Sequence, residues 1–463
     1  MKQDQPLDTT TRVETARAAA FVALCEWSRT DLFAAAVLDT VFENNRISDL
    51  DRRLATELVY GTIRRQATLD MLLQSVMDRG KDSVETELWI LLRLGAYQLV
   101  YLDSIPDHAA VAETVALAHT VQKKRWVGFA NAILRNITRL LTDDYVQQPQ
   151  PNAIPLKSDR HRIIQQALFA DLVQQPADYI SAALSYPRWL INRWLTQFGF
   201  EETLRLAYWF QQPARTCLRV NTLKINTNDV LAVLQKQNIA TEPGGLPEAI
   251  WLHKAVSIAS LPGFAEGWLT VQDEAAMQAG RLLNPQPGER VLDLCSAPGT
   301  KATHLAELMQ NRGEIIACDI AVDRLRRIEH NTSRLDIDII KPTLIGGDGS
   351  NIPAGLYDAI LLDVPCSNTG VMQKRPEVRW RIQRNDLKEL ATIGKQLLMQ
   401  AIEKLKPGGK LVYSTCSIEP IENEKVVQQA LQACDALSLI QERKHQPGLP
   451  GDGSYQALLC KSK

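Results

Sequence analysis

The chain has 463 residues, 45% hydrophobic and 23% charged, with a formal net charge of −1. That length suggests two to four domains, on a prior of roughly 100–200 residues each. The balanced charge excludes a general polycation, so any nucleic-acid contact falls to local basic patches.

At the amino terminus, "MKQDQPLDTTTRVETARAAA" has no apolar stretch behind a basic start, and no signal peptide is expected. No apolar run reaches the roughly 20 residues that span a bilayer. The eight cysteines show no Cys-x-x-Cys pair, so reduced cytoplasmic thiols are expected, with no metal and no membrane partner. Leu69, Leu72, Leu73 and Val76 recur at helical spacing, as do Leu88, Leu91, Leu92 and Leu99, then Ile133, Ile137, Leu140 and Leu141. Residues 1–142 are therefore expected to be all-helical. The stretch "DDYVQQPQPNAIPLKSDR" loses that period and collects Pro, Gln and Asn, which suggests a linker over 143–159.

Residues 160–267 mix signals. "YPRWLINRWLTQFGF" (186–200) suits an amphipathic helix with Pro187 in its first turn and Gly199 near its end. "TCLRVNTLK" suits a short strand and "VLAVLQKQ" a helix, together a small α+β module. Over 268–463 the apolar runs "RVLDLCSA", "GEIIACDI", "YDAILLDV" and "KLVYSTCS" alternate with helical stretches. Short continuous apolar strands between helices predict an α/β domain, a parallel Rossmann-like sheet covered on both faces. Ligands of such sheets bind beyond the carboxyl ends of the strands. Cys366, Cys416, Asp293, Asp319 and Asp363 would lie along that edge.

In "LDLCSAPGTKATHLAE" a strand breaks at 297–299 and a helix begins near Thr300, leaving backbone N–H groups free. The dinucleotide and P-loop glycine patterns are absent. A turn with one glycine suits a smaller ligand, the amino-acid end of S-adenosylmethionine, and Asp319 could accept both ribose hydroxyls. An unliganded strand–turn–helix accounts for Gly299 and Asp319 equally well. The thiols add the chemistry. C5 of cytosine is a poor nucleophile, and a thiolate adding to C6 makes C5 enamine-like and able to take a methyl group. Free cysteine titrates near ~8.5, so the thiol needs activation. Asp363, three residues before Cys366, is placed to hydrogen-bond or protonate N3.

"CSAPGTK", "LLDVPCSNTGV" and "YSTCSIEPIENE" resemble the motifs of RNA cytosine-5 methyltransferases of the RsmB/Fmu/Sun group. The resemblance implies a class I methyltransferase fold, with Cys416 as nucleophile and Cys366 assisting product release. It implies cofactor contacts from Cys295, Ser296, Ala297, Pro298, Gly299, Thr300, Lys301, Asp319, Asp348 and Asp363. "DRRLATELVYGTIRRQATLD", "LRLGAYQLVYLDSIPDHAAVAETV" and "GFANAILRNI" are similar to the RNA-binding NusB-like domain of RsmB proteins. The implied substrate is a 16S rRNA cytosine, in RNA or in an early small-subunit assembly intermediate, met by a monomer. A tRNA cytosine-C5 methyltransferase and a noncatalytic RNA-binding assembly factor are the alternatives. For RNA contact, "QKRPEVRWRIQR" (373–384) offers Lys374, Arg375, Arg379, Arg381 and Arg384 around Trp380. "KKRW" (123–126) suits a helix end, and His108 and His304 read as single histidines without partners and receive no role.

Overall fold

The computed structural model describes residues 13–462, apart from 79, 122, 255, 348, 449 and 450. The chain forms two compact units: Met1–Gln212 with Arg375–Arg381, and Pro213–Lys374 with Ile382–Lys463.

In the first unit, helices run from Ala16–Arg29 through Lys124–Leu140. Thr15 and Ser48 cap two of them, accepting from the Ala18 and Asp51 backbone N–H groups. The helix Thr86–Tyr101 is the centre of the bundle, with every residue from Glu87 to Val100 buried. The next segment corrects the expected linker. It forms an antiparallel sheet of β1 (Leu141–Val146), β2 (Ala153–Lys157) and β3 (Arg160–Ile164), in the order β1-β3-β2. The two outer strands are edges, which tolerate Pro155 and outward polar residues and so leave no apolar period to read. Ala153, Ile154, His161 and Ile164 turn inward, and Arg65 donates to the Pro155 carbonyl at 3.2 Å. The helix Arg188–Trp209 is interrupted at Gly199, whose φ of 79° is non-helical.

The second unit holds two sheets. An antiparallel sheet in the order β5-β6-β4-β7 joins β4 (Cys217–Val220), β5 (Thr241–Pro243), β6 (Ala249–Leu252) and β7 (Leu269–Val271). Its core includes Val230 and Leu234 of the helix Thr227–Lys236. The large sheet comprises β8 (Arg290–Leu294), β9 (Glu314–Asp319), β10 (Ile340–Leu344), β11 (Tyr357–Asp363), β12 (Leu405–Thr415), β13 (Leu437–His445) and β14 (Ser454–Lys461). Its order is β10-β9-β8-β11-β12-β14-β13. β8 to β12 run parallel, and β13 and β14 pair antiparallel.

Alternation along each strand splits the core in two. Leu292, Leu294, Ile360, Leu362 and Tyr413 pack with Leu398 and Val427 of the helices Asp386–Glu403 and Glu424–Ala433. Val291, Leu361 and Val412 pack on the opposite side with Leu282, Leu305 and Ile328, from helices within 274–335. Both faces are thus covered, as a parallel sheet requires. The chain leaves β8 toward β9 and β10 and returns to β11 on the other side of β8, so a topological switch lies between β8 and β11. No helix among the described residues is long and apolar enough to cross a membrane.

Candidate active site

β11 and β12 are parallel neighbours with Asp363 opposite Ser414. Cys366, three residues past Asp363, and Cys416, two past Ser414, therefore leave the sheet at one edge. Their sulfurs lie 3.3 Å apart. The Cys416 Sγ is 3.1 Å from Asn368 Oδ1, to which it donates. Cys366 is buried and Cys416 partly exposed. The hydrogen bond to Cys416, reinforced by burial and by Glu422, pushes the Cys366 thiol well above its ordinary range.

Each cysteine is followed by a serine, and both serines serve one carboxylate. The hydroxyls of Ser367 and Ser417 donate to Glu422 Oε2, and the Ser367 N–H donates to Oε1 at 2.8 Å. Thr369 Oγ1 accepts from the Ile418 N–H at 3.1 Å. The backbones are joined as well, Gly370 N–H to the Cys416 carbonyl and Gly453 N–H to the Gly370 carbonyl, both at 2.9 Å. Burial raises the Glu422 carboxyl, opposed by its serine hydrogen bonds. Such a closed, buried network holds the two thiol loops rigidly together.

Beside the thiols, Asp363 accepts from Lys301 Nζ at 2.6 Å and from Ser414 Oγ at 2.9 Å. Burial works against the Lys301 cation, but the Asp363 charge and hydrogen bond outweigh it and hold the ammonium above its usual value. The turn preceding Lys301 carries Cys295 at φ 62° and Gly299 at φ 91°. A side chain at 299 would also sit 3.2–3.3 Å from Ile328. Ser296 Oγ donates to Asp293 Oδ2 at 2.7 Å. Burial pushes the Asp293 carboxyl up to about 7, and its Oδ1 is buried without a partner. Asp319 accepts from the Ala297 and Ile320 N–H groups at 3.0 and 2.8 Å. Arg324 Nε also pairs with Asp319 Oδ1 at 3.3 Å, so Oδ2 keeps the further acceptor position, and Ile320 and Val322 lie exposed just beyond. A polar turn, an acid at the next strand end and adjoining apolar surface fit S-adenosylmethionine.

The edge thus gathers Cys295 to Lys301, Asp319, Asp363, Cys366 and Cys416. Asp348, expected as a cofactor contact, lies outside the described residues. Two sequence expectations change. Residues 373–384 are not a free RNA-binding stretch. Arg379 is fully buried, donating to the Arg64, Ser185 and Phe210 carbonyls at 3.2–3.3 Å. Trp380 donates to the Ile63 carbonyl and Arg381 to that of Asp31. Lys374 is held by Asp273 and Asp452 at 2.5 and 2.7 Å. Arg384 is exposed, and Arg375 lies over the Phe33 ring. Carbonyl acceptors distant in sequence, invisible in a local charge pattern, account for the difference. His304 also has a partner, Glu248, 3.0 Å from its Nε2.

Arg219 of β4 carries no local sequence signal. Fully buried, it donates to the Thr300 carbonyl at 2.6 Å, to Thr303 Oγ1 at 2.9 Å and to Glu307 at 2.8 Å. It therefore ties the small sheet to the first turn of the helix Thr300–Leu308. The signal for Glu422 was the repeated Cys-Ser pair ahead of a run of acids.

The family described as 16S rRNA methyltransferase RsmB/F matches residues 280–456. The NusB family matches 14–139, and the ferredoxin-like domain of RsmF/B-like methyltransferases matches 186–259. A Synechocystis protein, probable ribosomal RNA small subunit methyltransferase B, is 36% identical, covering 90% of this chain and 89% of its own length. A methyltransferase homologue from Pyrococcus horikoshii has a structure similar at TM-score 0.55 and 31% identity, covering 61% of this chain and 97% of that one. The P. horikoshii NSun6 structure with SFG, an analogue of S-adenosylmethionine, shares the fold at TM-score 0.57 and 22% identity, covering 60% and 99%.

Proposed function

Because the chain belongs to the RsmB/F family of 16S rRNA methyltransferases, we propose that it methylates C5 of one cytosine in 16S rRNA through a covalent bond from Cys416 to C6. The methyl group comes from S-adenosylmethionine, which supplies it as an electrophile. The residues that would hold this cofactor are Cys295 to Lys301, Asp319 and Asp363, with Asp348 as a further contact.

The observation that carries the reading is the 3.3 Å contact of two thiols beside Asp363 and Lys301 at the open edge of the sheet. The Cys416 sulfur adds to C6 and moves electron density to C5. Asp363 meets the N3 side of the ring, and the paired Lys301 keeps positive charge beside the density that gathers there. Water takes the C5 proton, the C–H electron pair re-forms the C5–C6 double bond, and the C6–S bond breaks to return the Cys416 thiolate, a departure that Cys366 assists. A base stacked within a helix must first be extruded, at a cost of a few kcal/mol, so an unpaired target is favoured. The substrate is naked 16S rRNA or an assembling small subunit, in the cytoplasm.

Bisulfite sequencing of ribosomal and transfer RNA tests this, comparing cells with the chain, without it, and with Cys416→Ala. One 16S cytosine is expected to lose its methyl group in both deficient strains, while the purified variant keeps its RNA affinity. A methyl group lost from tRNA alone would overturn the substrate, and full methylation by Cys416→Ala would overturn the nucleophile.

A further inference from the structure

The same pair of thiols forms a modification site. We propose that a hydroperoxide converts Cys366 and Cys416 to an intramolecular disulfide, which shuts off methyl transfer until a dithiol reduces it. The shut-off rests on the catalytic role of Cys416 given above; the bond itself does not.

The sulfurs are 3.3 Å apart, and a disulfide needs roughly 2.05 Å. The two states differ by about 1.3 Å in sulfur separation. Their proximity is built in. The paired backbone bonds at Gly370, and the two serines held by Glu422, fix the loops carrying both sulfurs. Each thiol therefore meets the other at a high effective concentration. Cys416 is partly exposed, within reach of a small oxidant, and Cys366 lies buried next to it. Cys25, Cys217 and Cys318 are buried, and burial raises all three thiols, which makes them poor nucleophiles.

The chemistry takes two steps. The Cys416 sulfur attacks the hydroperoxide and the O–O bond breaks. This leaves a sulfenic acid and an alcohol or water that carries away the thiol proton. The Cys366 sulfur then attacks the sulfenic sulfur, the S–O bond breaks, and hydroxide leaves with the Cys366 proton as water. The two thiols lose two electrons in all and the hydroperoxide gains them. The hydrogen bond to Cys416 is the foremost cause of the raised Cys366 thiol. Conversion of Cys416 to the sulfenic acid places an electrophilic sulfur in that same contact.

The test uses the reduced full chain and hydrogen peroxide, followed by alkylation, proteolysis and mass spectrometry. Methyl transfer to a 16S transcript is read on the same samples, before and after dithiothreitol. The expected result is a joined peptide pair carrying Cys366 and Cys416, with activity lost and then recovered. In Cys366→Ser, read by mass alone, Cys416 is expected to progress to sulfinic acid. Cys416 found as sulfinic acid in the unmodified chain, with no joined pair, would overturn the proposal and leave the catalytic reading intact. A joined pair in samples that still transfer methyl groups would instead overturn the shut-off together with the nucleophile assignment.

Discussion

Ser367 and Ser417 each directly follow one of the paired cysteines, and both bind the same buried acid; we propose that this acid sets the sulfur spacing. Glu422 accepts from both hydroxyls and from one backbone N–H. Glu422→Gln keeps the volume but turns an amide N–H₂ toward one of these donors, leaving a buried polar group without its partner. The kcat for methyl transfer is expected to fall about 10-fold, equivalent to about 1.4 kcal/mol of barrier, with RNA affinity unchanged. Single-turnover kinetics and a binding titration separate the two, and a loss confined to binding would refute the spacing role. The common edge of Cys416, Cys366 and Asp363 was legible because each closes a continuous apolar run, and parallel pairing brings those ends together. Glu422 was legible only as part of a motif, since its partners become visible in three dimensions. Arg219 read as one charged residue in a short strand, and nothing local announced that it anchors Thr300.

At the scale of elements, the strands of the large sheet were readable because burial on both faces makes them continuous apolar runs. β1 to β3 were not, because two of the three are edges and one carries Pro155. The loop after β11 shows how closely these elements approach. A Cβ on Gly370 would lie 2.5 Å from the Gly453 carbonyl oxygen and 2.8 Å from that of Cys416. Both are backbone atoms, so the strand ends themselves must move. Gly370→Ala is expected to destabilise the fold by about 1–3 kcal/mol and to slow methyl transfer. Urea unfolding alongside activity checks this, and wild-type values in both would refute the close approach of these backbones.

Across the whole molecule, two buried groups set opposing responses to acid. His304 is pressed down to about 4 by burial, against the pull of its Glu248 hydrogen bond. The folded state keeps this ring neutral while the unfolded ring protonates below about 6.5. The unfolded state then binds more protons, and stability is lost as pH falls from 6.5 through 4. Asp293, raised to about 7 by burial, does the reverse. Folded protein holds its proton where the unfolded carboxyl has lost it, so this stability is present at low pH and lost as pH rises through 7. Between pH 7 and 4, His304→Gln should flatten the acid loss of Tm and Asp293→Asn should steepen it. Identical profiles for the wild type and both variants would contradict the assignment. Domain classes followed from periodicity, but the place of residues 375–381 in the first unit did not, because a basic stretch reads as solvated surface until its carbonyl partners are seen. The most direct test of the covalent account uses Cys366→Ala with 16S rRNA and S-adenosylmethionine, run on a denaturing gel and mapped by mass spectrometry. A stable protein–RNA adduct through Cys416 is expected; normal product with no adduct, or an adduct through another residue, would refute covalent catalysis by Cys416.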